Sequence, residues 1–226
     1  MKSPSELKQL HGQEYVDAFE AGNASQRLER LITHMQFDGD YDVADFACGS
    51  GLLMEHVAPR VNSYVGVDFS EPFISVANDR KQRLGLANAN FHCADIVNFC
   101  ASHPQEFDIG FAMDFSEHVY DDNWVEILRA IKSSLKDTGR MYLHTPNGMF
   151  FLEIMKQRNM IVKQFPGHIA VRTPDENTAL IEKAGLTVRR LLFLPHYNVL
   201  RFLHPFARVP LVGKYFNARL FIEVTA

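Results

Sequence analysis

Between Val43 and His144 the chain alternates between short apolar runs and longer segments with helical spacing. Val43–Phe46, Tyr64–Val67, Ala89–Cys93, Phe107–Met113 and Arg140–His144 have the length and character of buried strands. Around them, Leu28, Leu31, Ile32 and Met35 give residues 25–35 one apolar side, and Trp124, Ile127, Leu128 and Ile131 do the same for residues 121–135. Ser70-Glu71-Pro72 predicts a helix start, with a capping hydroxyl and an early proline, and Gly85 its end. Lys136–Gly139 reads as the turn into the fifth strand. Strand and helix in such succession predict a parallel sheet with helices on both faces. Farther on, Thr173-Pro174-Asp175-Glu176 predicts a capped helix closed by Gly185. Residues 186–194 then read as a sixth strand and residues 218–224 as a last, antiparallel one. The expected architecture is α/β, with seven mostly parallel strands.

Residues 146–172 break this rhythm. Met149, Phe150, Phe151, Leu152, Ile154 and Met155 are interleaved with Lys156, Arg158 and Lys163. Two readings stand, a lid helix packed on the domain and a surface helix in contact with lipid. A second apolar and basic stretch carries Arg201, Arg208, Lys214 and Arg219 among Leu200, Phe202, Leu203, Phe206 and Leu211.

Length and composition narrow the picture. At 226 residues one core suffices, so a single domain is expected over 1–226, with an N-terminal helical cap over 1–36 and the 146–172 segment as an insertion. A net charge of −4 disfavours a nucleic-acid partner and leaves a small-molecule acceptor as the expected one. The first residues lack an apolar signal core and no apolar run approaches the ~20 residues that span a bilayer, so a cytoplasmic place is expected, with peripheral membrane contact as the alternative. Cys48, Cys93 and Cys100 show no paired spacing and read as reduced thiols. Oligomeric state is not legible.

The candidate chemistry begins at Asp45-Phe46-Ala47-Cys48-Gly49-Ser50-Gly51. A strand ends here in a Gly-x-Gly turn, with a helix expected from about Leu52, so a cofactor can lie over the backbone and its N–H groups. Met54 stands where a dinucleotide fingerprint has its third glycine, which disfavours nicotinamide dinucleotides. Asp45 would repel a pyrophosphate and suits a ligand bearing an ammonium group, such as S-adenosylmethionine. Asp68, at the end of the second strand, is placed to accept bonds from ribose hydroxyls. Together the glycine turn and Val65-Gly66-Val67-Asp68-Phe69 resemble motifs one and two of the class I methyltransferases, which implies a Rossmann-like fold. The resemblance further implies cofactor contacts at Asp45, Gly49, Gly51, Asp68 and Phe69, and adenine contacts at Asp95 and Ile96. An ordinary helix cap also accounts for Asp95.

The fourth strand ends in Met113-Asp114-Phe115-Ser116-Glu117-His118. Methyl transfer is an in-line displacement in which a phenolic acceptor must also lose a proton, and His118 is the candidate general base beside Glu117. Alternatively Asp114, Glu117 and His118 bind a divalent cation that acidifies the hydroxyl. This run, with His144-Thr145-Pro146-Asn147, Pro166-Gly167-His168 and Pro195-His196-Tyr197-Asn198, resembles the ubiquinone-biosynthesis O-methyltransferases. That resemblance implies a prenylated phenol or catechol as acceptor, Mg2+ held by Asp114, Glu117 and His118, cofactor contacts from Arg27 and Met113, and a 146–172 insertion and apolar tail that face the membrane. The chain has Asp114 where that family usually has glutamate, and Ala47 where it has glycine. Competing readings are an N- or O-methyltransferase of another soluble metabolite that needs no metal, and a non-catalytic binding module.

Overall fold

The computed structural model describes residues 24–158, 160, 163–164 and 167–226. Most of the expected cap over 1–36 lies outside them; its described end is α1, Ala24–Ile32. The chain divides into two compact units, one taking the chain up to Phe111 with Ala130–Arg140, the other Ala112–Arg129 with Met141–Ala226. After α1 come β1 (Asp42–Phe46), α2 (Met54–Val57), β2 (Ser63–Asp68), α3 (Glu71–Leu84), β3 (Ala89–Cys93), α4 (Ile96–Ser102) and β4 (Phe107–Met113). Then follow α5 (Asp121–Ser134), β5 (Leu135–Pro146), α6 (Phe151–Gln157), α7 (Pro174–Lys183), β6 (Thr187–Leu194) and β7 (Arg219–Thr225). The strands form a seven-stranded sheet in the order β3-β2-β1-β4-β5-β7-β6. β1 runs parallel to β2 and β4, β2 is parallel to β3, and β7 is antiparallel to β6, as expected.

In the first unit the centre of the core is made by Val43, Ala44, Phe46, Val67, Ile109 and Phe111, all closed to solvent. Gly66 pairs with Phe91 across β2 and β3. The Phe91 ring lies over the space a side chain would take: a β-carbon on Gly66 would stand 2.5 Å from two of its ring carbons and 2.9 Å from Cys48 Sγ. A β-carbon on Gly51 would meet the same ring at 2.9 Å. Phe91 therefore packs under the loop that follows β1 and fixes its height. Lys136 bonds Asp108 at 2.8 Å and reaches Asp42 at 3.4 Å, which ties the starts of β1, β4 and β5.

In the second unit Trp124 and Leu128 of α5, Tyr142 of β5 and Leu220 and Phe221 of β7 are buried, with the Tyr142 and Phe221 rings 5.7 Å apart. Arg172 bonds the carbonyls of Ser116 and Val119 at 2.7 and 2.6 Å and the Asp121 carboxylate at 2.8 Å, clamping the loop after β4. The capping box at Thr173 and Glu176 forms as expected.

Several local expectations change. The helix after the glycine loop begins at Met54 rather than Leu52 and passes at Ala58–Arg60 into a tighter turn, because Pro59 has no N–H to continue the ladder. Ser70 starts α3 without a side-chain capping bond; its own N–H donates to Asp68 instead. Strand β5 begins at Leu135, with the bend at Gly139 kept inside it, where a β-carbon would lie 2.7 Å from the Lys136 carbonyl oxygen. Within 146–172, Phe150 and Glu153 are buried, while Met160 is exposed. Cys48, Cys93 and Cys100 are free thiols. No helix among the described residues is long and apolar enough to cross a membrane.

Gly66→Val should destabilise the protein by about 1–3 kcal/mol through overpacking against Phe91. Urea denaturation checks this, and an unchanged midpoint would mean that Phe91 can move aside.

Candidate active site

The loop after β1 is built from left-handed backbone. Ala47, Gly49 and Gly51 have φ of 60°, 53° and 73°. Glycine adopts this at no steric cost, and at Ala47 the Cβ is crowded against its own backbone, where the resembling family carries glycine. The Gly49 N–H donates to Asp68 Oδ2 at 3.0 Å and the Ser70 N–H to Asp68 Oδ1 at 2.9 Å. Asp68 thereby joins the glycine turn to the end of β2. Burial pushes its pKa upward, against the pull of the Ser70, Gly49 and Phe69 N–H groups. Asp45 points into the core, where Tyr64 OH donates to its Oδ2 at 2.5 Å. Burial, with the Asp68 charge adding to it, pushes the Asp45 carboxyl up to about 7 even though the Tyr64 bond opposes this.

The other expected cofactor residues of this unit have mixed surroundings. Phe69 is 37% exposed beside Asp68. Asp95 is exposed and caps α4, its Oδ1 accepting from Val97 N–H at 3.0 Å and Asn98 N–H at 3.1 Å. Ile96 is buried behind it. Arg27 is half-buried on α1.

The second unit carries the acid–base groups. Met113, half-buried, ends β4. Asp114 follows with φ of 52°, its N–H donating to the His144 carbonyl at 2.7 Å. The Asp114 carboxylate pairs with Arg219 at 3.1 Å and with His144 Nδ1 at 2.8 Å, and Tyr197 OH bonds His144 Nε2. Arg219 also lies over the Tyr197 ring, 5.1 Å from its centroid.

Ser116–His118 form one tight turn. Glu117 is 1% exposed and accepts from Thr145 Oγ1 at 3.1 Å, while its backbone carbonyl accepts the Ile169 and Ala170 N–H groups at 2.9 and 3.0 Å. Burial above all, and then the Asp114 charge, push its carboxyl up to about 8, so it is protonated at neutral pH. His118 Nδ1 lies 2.9 Å from the Gly167 carbonyl oxygen. A carbonyl can only accept, so Nδ1 carries the proton and Nε2 keeps its lone pair. Burial lowers the His118 pKa, opposed by that bond and by Asp114, and the ring is neutral at pH 7. The His168 ring stands edge-on at 5.0 Å, its pKa pushed down to about 4 by burial and by His118.

The ligand atoms of Glu117, His118 and His168 lie within 4.8 Å of one another. This is a different set from Asp114, Glu117 and His118: Asp114 is taken up by Arg219 and His144, and His168 enters. Magnesium prefers an oxygen shell, whereas two imidazoles with one carboxylate suit softer, borderline ions. The residues present do not fit Mg2+. His168 and Tyr197 stood in the sequence motifs without a site role, and Arg219 and Arg172 were not expected in the site. Of the latter two, Arg219 offered a signal, a cation in an otherwise buried-strand pattern.

The methyltransferase domain family matches residues 43–139. A ubiquinone biosynthesis O-methyltransferase of Coxiella burnetii is 30% identical over 181 residues, covering 77% of this chain and 75% of the relative. One from Neisseria meningitidis is 29% identical over 169 residues, 72% of this chain and 70% of the relative. In fold, a SAM-dependent methyltransferase from Archaeoglobus fulgidus superposes with a TM-score of 0.67 at 18% identity, over 90% of this chain and 93% of that one. The chain belongs to the S-adenosylmethionine-dependent methyltransferases, in the family of the ubiquinone-biosynthesis O-methyltransferases.

A pH dependence follows from Asp45. Its folded pKa, about 7, lies above the unfolded value of 3.8, so the native state binds the extra proton between them. Stability should fall as pH rises from about 4 to about 7, by up to about 1.4 kcal/mol per pH unit from this group, and level off above. Asp45→Asn, whose amide oxygen can still accept from Tyr64, should flatten that slope in urea denaturation at stepped pH; an unaltered slope would assign it to other groups.

Proposed function

We propose that this methyltransferase moves the methyl group of S-adenosylmethionine to a hydroxyl of a small, prenylated aromatic acceptor, with His118 as the general base. The observation that carries this reading is the His118 bond to the Gly167 carbonyl, which leaves a neutral imidazole with Nε2 unprotonated. In the reaction the acceptor oxygen attacks the methyl carbon as the carbon–sulfur bond breaks. The sulfonium becomes a neutral thioether, and the hydroxyl proton passes to His118 Nε2. Asp68 and the glycine turn hold the cofactor by ribose and backbone contacts.

Glu117 is a positioning residue in this reading. Its carbonyl holds the Ile169–Ala170 backbone, and that backbone continues to the Gly167 carbonyl that sets the His118 tautomer. The acceptor class draws on what the curated relatives are named for, the biosynthesis of ubiquinone. No step uses magnesium, because the donor set does not suit it.

Two measurements test the proposal with a prenylated catechol as acceptor. His118→Asn should lower kcat by about 10²–10⁴ while S-adenosylhomocysteine binds as before by calorimetry. Unimpaired turnover would remove His118 from the chemistry. A chelator should leave turnover of the native enzyme unchanged, and loss restored by one particular divalent ion would reinstate a metal. If soluble catechols or amines are turned over and prenylated ones are not, the acceptor class is overturned while the methyltransferase stands.

A further inference from the structure

We propose that Arg172 is a positioning residue of the reaction: it fixes the register of residues 167–172 on the Ser116–His118 turn and thereby holds the His118 ring with Nε2 unprotonated. This role deepens the assignment of His118 as general base and rests on it. Both segments lie in the second unit.

The turn is held along one side by a short strap of chain. At its start the Gly167 carbonyl meets His118 Nδ1 at 2.9 Å. Two residues on, the Ile169 N–H is shared between the Gly167 carbonyl at 3.1 Å and the Glu117 carbonyl at 2.9 Å, and the Ala170 N–H donates to the same Glu117 oxygen at 3.0 Å. Arg172 completes the row. Its Nη1 donates to the Ser116 carbonyl at 2.7 Å and its Nη2 to the Val119 carbonyl at 2.6 Å, one on either side of Glu117 and His118. Nε and Nη2 each meet Asp121 Oδ1 at 2.8 Å. The Arg172 side chain is 5% exposed, so its charge depends on these partners. A guanidinium carries five N–H donors in one plane and can serve all three acceptors at once; a lysine ammonium is a point charge on a flexible stem and cannot.

Arg172 is itself fixed from behind. Its carbonyl accepts the Gly148 N–H at 2.8 Å and Asn177 Nδ2 at 3.4 Å. The chain passes so close there that a β-carbon on Gly148 would lie 2.8 Å from the Arg172 carbonyl carbon. Thr173, the next residue, caps α7. The guanidinium therefore projects from a point tied both to the loop after β5 and to the start of α7.

Register is what this arrangement decides. The backbone N–H groups that serve Glu117 do not select a register, because every residue but proline offers the same donor. Within the strap, Arg172 supplies the side chain that grips the turn in one register. A slip of one residue would carry the Gly167 carbonyl about 3.3 Å along the chain, out of hydrogen-bond range of His118 Nδ1. The imidazole could then place its proton on Nε2, the atom that has to take the acceptor's proton. The edge-on contact of His168 with His118, at 5.0 Å, would be lost with it.

The test reads the ring directly. Proton–nitrogen correlation spectra of the imidazoles in the full chain should show native His118 with Nδ1 protonated, and Arg172→Lys should bring in the Nε2-protonated form. The same variant should lower kcat about 10–100-fold, with KM for a prenylated catechol within about twofold and S-adenosylhomocysteine binding unchanged. In the His118→Asn background, Arg172→Lys should lower kcat no further. An equal further loss there, or an unchanged spectrum, would show that Arg172 serves the fold alone and overturn the proposal. Full turnover by His118→Asn would remove the base, and this role with it; a loss with His118→Asn but none with Arg172→Lys would overturn the role of Arg172 alone. If Arg172→Lys does not fold, Asp121→Asn, at a side chain 65% exposed, releases one end of the fork. It should bring in a smaller share of the Nε2-protonated form, and none would equally overturn the proposal.

Discussion

Carboxyl groups buried near the ends of strands are the constraint on which both units depend. A carboxylate removed from water must be bonded, paired or protonated, and each acid meets that demand differently. Asp68 takes backbone N–H groups from Gly49 and Ser70, and in doing so fixes the glycine turn to β2. Asp45 takes the Tyr64 hydroxyl. Asp114 takes a guanidinium and an imidazole, while Glu117 accepts from Thr145 and keeps its proton. Satisfying the acids is what shapes the loops.

The same demand explains the character of the acid–base cluster. Because Asp114 is paired with Arg219 and lies 2.8 Å from His144 Nδ1, that carboxylate is engaged in holding its own turn. Burial keeps Glu117 and His118 both neutral at pH 7, the first protonated and the second with one nitrogen bare. A neutral imidazole whose tautomer is set by a carbonyl can take a proton without first losing one. An ion at Glu117, His118 and His168 would have to displace the Glu117 proton before binding, a further cost for a weakly held cation such as magnesium.

Much of the scaffold was legible because it depends on neighbours in sequence. Strands β3 and β4 keep the limits their apolar runs suggest, Gly85 ends α3 in the left-handed conformation, and Thr173 with Glu176 forms the capping box. The misses in local structure have equally local causes. Pro59 shortens α2, and the Ser70 N–H is drawn to Asp68 while its hydroxyl makes no cap.

By itself the sequence determined the order of the sheet's strands, the glycine turn at Gly49 and Gly51, and the placing of Asp68 at the end of a strand and of Asp114 and Glu117 just after one. These follow from periodicity and from the few residues that tolerate special backbone. Tertiary structure alone decided that Asp45 faces Tyr64, that Asp114 is held by Arg219 and His144, and that His168 stands beside His118 and Glu117. It alone decided that Phe202 and Leu211 face water while Phe150 does not. Phenylalanine, leucine, histidine and arginine have the same local signal in either setting, and what separates the settings is a partner many residues away.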